Sequence, residues 1–253
     1  MFNFFKNRSN DQTRHFYHAL LKGEEKRGIW SKENRFDPDS IGKKPSVLRH
    51  FTPTLENYLS LTDKCLDLGC GPGGFLALMA PRCRTIVGAD IVPDFISDCR
   101  STIERQSINN ASAVLLESTK LPFGDAEFDK VVMVDTIHHL EDHKSTLDEV
   151  FRVLKPGGLL LIFEPNKANP LLALLCALDS NEHGLLRLGT FSSYRRILGA
   201  SFEVVHQEYN GMLVGPEGKI SSAIADFVSM GGKSLLGWLS PKLFIVARKR
   251  SIS

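Results

Sequence analysis

Short apolar runs alternate with amphipathic segments through the middle of the chain, and this alternation predicts the fold. Apolar positions at Leu147, Val150, Phe151 and Leu154 have the i, i+3, i+4, i+7 spacing of a helix, which Lys155-Pro156-Gly157-Gly158 should stop. Further helices are predicted from about residue 74 and over 92–106. Strands that alternate with helices form a parallel sheet covered on both faces. The predicted buried strands of this part span residues 64–68, 85–89, 113–116, 128–134 and 159–163.

The two ends of the chain do not follow this alternation of strands and helices. Residues 1–55 are polar with scattered aromatics, and Phe16, Leu20 and Leu21 predict one short helix there. We interpret this part as an N-terminal helical extension that caps the core or covers a site. Residues 56–253 then form the main domain, with a helical insertion on the substrate side at about 165–200. Two late strands, at 202–208 and 243–249, complete the predicted sheet.

Composition narrows the class of protein. The chain has 253 residues, 42% of them hydrophobic, which suits one large α/β domain or one domain with an appendage. Its net charge of +2 gives no electrostatic reason to expect a nucleic-acid partner. The five cysteines include no C-x-x-C pair, and no apolar run reaches the ~20 residues of a membrane-spanning helix. The start of the chain does not resemble a signal peptide, so a cytoplasmic location is expected.

A glycine-rich loop follows the first predicted strand. Gly69, Gly71 and Gly74 satisfy G-x-G-x-x-G between a strand and a helix, where the backbone can approach a nucleotide-like ligand. Asp90 lies 19 residues after Gly71 and can accept the hydroxyls of a ribose, as in dinucleotide sites. Asp67 favours a ligand that carries an ammonium and a sulfonium, because a carboxylate is unfavourable beside a pyrophosphate. A nicotinamide enzyme is an alternative at this point.

Five segments in order then resemble one family, the class I S-adenosylmethionine-dependent methyltransferases. The group concerned is the broad one that includes the ubiquinone and menaquinone biosynthesis methyltransferases. The resemblance covers roughly residues 62–166. It is carried by Cys65-Leu66-Asp67-Leu68-Gly69-Cys70-Gly71-Pro72-Gly73-Gly74, Val87-Gly88-Ala89-Asp90-Ile91, Glu117-Ser118-Thr119-Lys120-Leu121-Pro122-Phe123 with Glu127-Phe128-Asp129, Ile137-His138-His139-Leu140 and Phe151-Arg152-Val153-Leu154-Lys155-Pro156-Gly157-Gly158.

The resemblance implies a doubly wound, mostly parallel seven-stranded sheet with an antiparallel last strand, and S-adenosylmethionine as the cofactor. The backbone from Gly69 to Gly71 should lie along the methionine part, with Asp67 near its amino end. Asp90 should hold the ribose and Ile91 the adenine face. Glu117 should accept from the adenine amino group while the Ser118 N–H meets a ring nitrogen, although many relatives have aspartate at the position of Glu117. Cys70, Gly73 and Asp135 complete the predicted cofactor-binding set.

Catalytic side chains are expected where the fourth strand ends, although a methyl transfer needs a base only when the acceptor must lose a proton early. His138 is the better candidate base, and His139 is more readily interpreted as a structural histidine. Asp135, His138, His139 and His143 have a metal-like spacing, but they supply one carboxylate and no metal is predicted. Glu164-Pro165-Asn166 should face the same cleft.

The sequence indicates little about the methyl acceptor. Residues 169–176 are apolar and are followed by Arg187, Arg195 and Arg196, which fits a lid over an apolar or lipid-linked acceptor at a membrane surface. A helix buried all round is the favoured alternative, so peripheral membrane contact is not expected. The main hypothesis is methyl transfer to a small molecule, on oxygen, nitrogen or carbon. A non-catalytic S-adenosylmethionine-binding partner and a nicotinamide-dependent oxidoreductase are the alternatives, and the oligomeric state stays open.

Overall fold

A seven-stranded sheet runs through the computed structural model, which describes residues 9–22, 37–178, 183–213 and 236–251. The strand order is β3-β2-β1-β4-β5-β7-β6. Strand β7 pairs antiparallel with both β5 and β6, whereas β3, β2, β1, β4 and β5 pair in parallel. The predicted doubly wound sheet with an antiparallel last strand is therefore confirmed. The strands are β1 (Lys64–Leu68), β2 (Thr85–Asp90), β3 (Ala111–Leu115), β4 (Phe128–Val134), β5 (Leu154–Pro165), β6 (Phe202–Asn210) and β7 (Lys242–Lys249).

Helices cover both faces of the sheet. The predicted helices near Phe16, after the glycine loop, over 92–106 and around Leu147 are all present. In chain order, the helices of the described residues are α1 (Asn10–Leu21), α2 (Pro38–Ile41), a π-helix (Val47–Phe51) that continues as α3 (Thr52–Glu56), α4 (Gly74–Met79), α5 (Pro93–Arg105), α6 (His143–Val153), α7 (Pro170–Leu178), α8 (His183–Leu188) and α9 (Phe191–Leu198), with 3-10 turns at Ala80–Arg82, Ile137–His139 and Gly237–Leu239.

The strand after α6 starts earlier than the sequence pattern predicts. Helix α6 ends at Val153, and β5 begins at Leu154, which pairs with Phe128 of β4. The next pair in this ladder is Leu159 with Lys130, so residues 155–158 bulge out of the strand. Gly157 has φ +72°, which this bulge needs and other residues avoid. Lys155-Pro156-Gly157-Gly158 thus forms an excursion within β5 as well as the end of the helix.

The segment before β1 packs into the core on one face of the sheet. Val47, Phe51 and Leu55 are fully buried, and the Phe51 ring lies 4.9 Å from that of Phe75 and 4.8 Å from that of Phe163. These three positions form one apolar stripe on the π-helix and α3, a helical pair that the sequence analysis did not predict. The division of the chain at residue 55 stays a prediction. The aromatics Trp30 and Phe36 lie outside the described residues.

The insertion after β5 is helical, as expected, but α7 is not buried all round. Leu171 is 65% exposed and Leu174 is 58% exposed. The favoured interpretation of an enclosed helix is therefore wrong for these two positions. Among the described residues, no helix combines the length and the apolar character that crossing a membrane requires.

Candidate functional site

A cavity of about 180 Å³ lies where β1, β2 and β4 end. Parallel strands in doubly wound sheets commonly place ligands at this edge, where the strand order reverses. The lining is largely apolar and includes Asn10, Thr13 and Tyr17 of α1. The predicted site residues that line it are Gly69, Cys70, Gly71, Asp90, Ile91, Ser118, Asp135 and His139, whereas Asp67, Gly73, Glu117 and His138 lie outside the lining.

The glycine loop forms one wall and turns back over β2. The N–H groups of Gly69 and Cys70 donate to the carbonyl of Ala89 at 2.7 and 3.2 Å, and Gly69, Gly71 and Gly73 all have positive φ. Steric crowding also restricts the residue type at position 69, because a Cβ there would lie 2.3 Å from Oγ1 of Thr136. Only glycine fits at this position of the loop. Cys70 is a buried thiol whose pKa is raised by its hydrogen bond with Cys99 and by burial.

Asp90 holds the loop and borders the cavity. Its Oδ2 accepts the Gly71 N–H at 2.9 Å and its Oδ1 accepts the Val92 N–H at 3.0 Å. Burial raises the pKa of Asp90, and hydrogen bonds from the backbone of Val92, Gly71 and Ile91 oppose that rise. A carboxylate oxygen can accept more than one hydrogen bond, so both oxygens keep the capacity to accept from a ligand hydroxyl.

Asp67 lies behind the loop in an unusual electrostatic state. Its side chain is buried, with 1% exposure, and its Oδ2 has no hydrogen-bond partner among the described residues. Burial, and then the neighbouring charge of Asp90, raises the pKa of Asp67 to about 8. A buried carboxylate without a partner is costly unless a cation or a donor reaches it. This feature fits a ligand that brings a positive group to the end of β1.

The loop after β3 borders the other side of the cavity. Leu116, Ser118 and Thr119 of this loop are among the lining residues, as is Ile91 after β2, whereas Glu117 is exposed. The main-chain carbonyl of Glu117 accepts from the Arg14 guanidinium at 3.2 Å. A contact of the Glu117 carboxylate with adenine stays a prediction.

The two adjacent histidines occupy different environments. His138 is fully buried, and its Nδ1 lies 2.5 Å from Oε2 of Glu164. His139 lines the cavity and faces the Tyr17 ring edge-on, with the ring centroids 6.4 Å apart. The sequence analysis put His138 forward as the base and gave His139 the structural role, whereas the histidine that lines the cavity is His139. Catalytic roles for both histidines stay predictions.

Asp135 is a strained residue at the end of β4. It has φ +53°, its N–H donates to the Phe163 carbonyl at 2.9 Å, and its carboxylate forms an ion pair with the buried Lys242. Positive φ is costly for aspartate and is often found where function requires a particular backbone path. In the part of the chain that the structure describes, no group of three or more His, Cys, Asp or Glu side chains is arranged to hold a metal ion.

Helix α1 lies across the cavity, and sequence reasoning missed the residues that fix it there. The Arg14 guanidinium donates to the carbonyls of Ile91 and Leu116, both at 2.9 Å. The Tyr17 ring packs on Phe95 with centroids 5.1 Å apart, and the Nδ1 of His18 lies 2.8 Å from Asp94. The helical spacing around Phe16 predicted a helix, but nothing in the pattern indicates which distant carbonyls Arg14 meets.

Comparison with known proteins agrees with this geometry. Residues 66–162 match the family model described as "Methyltransferase domain". A probable S-adenosylmethionine-dependent methyltransferase of Mycolicibacterium smegmatis is 33% identical over 115 residues, which are 44% of this chain and 43% of that protein. A demethylmenaquinone methyltransferase of Thermus thermophilus is 30% identical over 103 residues, covering 40% of this chain and 46% of that one.

A solved structure extends the likeness of fold. The crystal structure of an S-adenosylmethionine-dependent methyltransferase from Aquifex aeolicus superposes with a TM-score of 0.58 and 19% identity, over 86% of this chain and all of that one. The chain spans about half the length of the first curated relatives it matches. With the strand order and the glycine loop, these matches show that residues 66–162 form a methyltransferase domain of the class I S-adenosylmethionine-dependent type.

Proposed function

We propose that this protein transfers a methyl group from S-adenosylmethionine to a small-molecule acceptor. The observation that carries the proposal is the pair of buried carboxylates at the ends of β1 and β2. Asp90 borders the cavity, and Asp67 lies behind it with an oxygen that has no partner among the described residues. A ligand with a ribose and an ammonium would satisfy both groups, whereas the pyrophosphate of a nicotinamide cofactor would add negative charge beside them.

Each part of the donor finds matching groups in the chain. The amino group would be neutralised by Asp67, and the ribose hydroxyls would donate to Asp90. The apolar side chain of Ile91 would contact the adenine ring, and the Ser118 N–H would donate a hydrogen bond to it. Glu117 would lie at the rim of this site. Gly69 and Gly71 keep the wall free of side chains, and Cys70 and Asp135 complete it. When bound, the cofactor supplies a methyl carbon already activated by a sulfonium.

The protein must also align the acceptor with the methyl group and exclude water from the site. The largely apolar lining, together with helix α1 beside it, would exclude water from the reacting groups. His139 is the imidazole that reaches this lining, so we assign it the proton from an acceptor hydroxyl or amine when one must be removed. His138, bonded to Glu164, would support the turn that carries His139.

The acceptor is a small molecule in this proposal, and its class is left open. The segment that matches the family model ends at residue 162, before the insertion in which acceptor contacts are expected. Arginine and lysine are missing from the described residues that line the cavity, so these residues offer no cation to an anionic acceptor. The relative that acts on demethylmenaquinone is consistent with such an acceptor, although that activity is a property of that protein.

The test is a transfer assay with methyl-labelled S-adenosylmethionine. The protein is incubated with a small-molecule extract and, separately, with protein and RNA fractions of the same cells. We expect label to move into the small-molecule fraction. Tight cofactor binding without transfer to any fraction would instead support a non-catalytic binding module, and transfer to RNA or protein would overturn the acceptor class.

Asp90→Ala and Asp90→Asn test the donor site independently of the acceptor. Loss of a charged hydrogen-bond partner should weaken S-adenosylmethionine binding by ~1.5–3 kcal/mol, which is about 10- to 150-fold in Kd. Asn keeps an oxygen for one of the two backbone N–H groups, so it should fold where Ala fails. Unchanged affinity in the folded variant would mean that the ribose is held elsewhere.

A further inference from the structure

A buried polar cluster lies beneath the turn at Ile137–His139 and is not part of the donor site. Its centre is Glu164 at the end of β5, whose side chain is fully buried. Oε1 accepts the N–H groups of Thr136 and Ile137 at 2.9 and 2.6 Å. Oε2 accepts the Tyr194 hydroxyl at 3.1 Å and lies 2.5 Å from Nδ1 of His138. One carboxylate therefore meets two backbone groups and two side chains, which satisfies its acceptor capacity.

The segment held by Glu164 carries two residues that reach the cavity. Thr136 stands at its beginning and packs against the Cα of Gly69 so closely that no Cβ fits between them. His139 stands at its end and lines the cavity beside Tyr17. The contacts with Glu164 come from Thr136 itself and from the next two residues, Ile137 and His138. A shift of the carboxylate would therefore move both the wall of the glycine loop and the imidazole.

Tyr194 extends the cluster to the insertion after β5. It lies on α9, is fully buried, and donates to the same oxygen that faces His138. Burial and the charge of Glu164 raise the pKa of Tyr194 well above its usual range, so its hydroxyl stays a donor. The helices that follow β5 are in this way joined to the turn through one side chain.

We infer that Glu164 is a positioning residue for methyl transfer, acting through the backbone of Thr136 and Ile137 and through the His138 ring. This inference rests on the proposed function, because the residues that Glu164 positions would contact the methyl donor and the acceptor. Glu164 lies outside the cavity lining and itself touches no substrate. A merely structural carboxylate would stabilise the fold without affecting the cavity, and the two roles are separable by experiment.

The test compares Glu164→Gln with the wild type, using S-adenosylhomocysteine, the demethylated donor, as the probe. Glutamine has the same size, but its NH₂ group must face either the two backbone N–H groups or the Tyr194 hydroxyl and the His138 ring, which would then have to accept, so the hydrogen bonds of the turn change. Three quantities are measured: the Kd by calorimetry, the melting temperature, and the His139 imidazole resonances by ¹H–¹⁵N NMR. We expect the Kd to rise about tenfold and the His139 resonances to lose their response to the probe.

Asp129→Asn is the matched control. Asp129 accepts the Lys64 N–H at 2.8 Å and pairs with Lys155 at 2.7 Å, at the opposite end of β4 from the cavity. This variant should lower the melting temperature and leave the Kd and the His139 response unchanged. Tyr194→Phe removes one donor from Glu164 and serves if Glu164→Gln does not fold. It should raise the Kd about threefold and alter the His139 response.

The outcomes separate this inference from the proposed function. A wild-type protein that does not bind the probe would contradict the proposed function. A wild type that binds, together with a folded Glu164→Gln variant of unchanged Kd and unchanged His139 response, would overturn the positioning role alone. If only Tyr194→Phe folds, its unchanged Kd and His139 response would overturn it equally.

Discussion

Asp67 is a carboxyl group held in the protein interior with a proton it would lose in water. Its pKa is raised to about 8 by burial and by Asp90, so in the free protein it is mostly neutral at pH 7. A ligand ammonium at the unpartnered oxygen would favour the ionised form. Binding of S-adenosylmethionine should therefore release a proton from this residue.

Calorimetry between pH 6 and 7, below the α-amino pKa of roughly 8, measures this release. Affinity should rise by up to about tenfold per pH unit, and the heat of binding should depend on the ionisation enthalpy of the buffer. Asp67→Asn should bind more weakly and lose both dependences. Proton uptake, or a pH dependence that survives in the variant, would argue against this role of Asp67.

The same residue makes a second prediction about stability without ligand. Between pH 3.8 and about 8 the folded state holds a proton on Asp67 that the unfolded state has lost. The free energy of unfolding should therefore fall as the pH rises through this window. Asp67→Asn removes this contribution, so the melting temperature of the variant should exceed that of the wild type at pH 8. A lower melting temperature would show that the carboxylate has a partner that stabilises the fold.

Gly69→Ala tests the close contact between the glycine loop and Thr136. Alanine at this position must adopt φ +82° and place its Cβ 2.3 Å from the threonine oxygen. Gly157→Ala is the control, since Gly157 also has positive φ but has nothing within 4 Å of a Cβ. The control should lose about 1 kcal/mol of stability from backbone strain alone. Gly69→Ala should lose more stability than Gly157→Ala and should no longer bind S-adenosylmethionine. Equal losses of melting temperature in the two variants would contradict the close contact with Thr136.

At the scale of elements, we expect α1 to limit ligand exchange, because several of its residues line the cavity. Its Arg14 bonds three carbonyls that follow β2 and β3, and Tyr17 lies over the cavity. Arg14→Ala should loosen this helix and increase the dissociation rate of S-adenosylmethionine several-fold in stopped-flow measurements. The loss of hydrogen bonds from a charged donor typically costs enough free energy to change a rate by this factor.

Arg82→Ala is the control for that helix experiment. Arg82 also bonds a main-chain carbonyl, that of Leu78 at 2.7 Å, and Glu56 at 2.9 Å, but it lies outside the cavity lining. Its loss should leave the dissociation rate unchanged. Equal rates for the Arg14 and Arg82 variants would mean that α1 does not limit ligand release.

Elements with strong local patterns could be predicted closely, and those that depend on packing could not. The bounds of β1 and β4 agree with the predicted strands, because the glycine loop from Gly69 marks the end of β1 and the apolar run 131–134 marks β4. The bulge that extends β5 back to Leu154 escaped prediction because it depends on pairing with Phe128. The sequence could not show that His139 lines the cavity while His138 is buried against Glu164, because this depends on the path of the backbone after Asp135.

At the scale of the whole molecule, sequence motifs led to several residues that line the cavity but not to the network around them. Gly69, Asp90 and Ile91 line the cavity, whereas Asp67 and Glu117 lie outside its lining. Lys242 pairs with Asp135 across 107 positions of the chain, and Tyr194 meets Glu164 across 30. Such contacts arise from the order of strands and helices in space, which periodicity along the chain does not encode.

The most direct test of the central claim is a titration of the wild-type protein with S-adenosylmethionine and, separately, with NADH and NADPH. Calorimetry should give saturable binding of S-adenosylmethionine with proton release at pH 7, and no measurable binding of either nicotinamide cofactor. Saturable binding of a nicotinamide cofactor with none of S-adenosylmethionine would contradict the account.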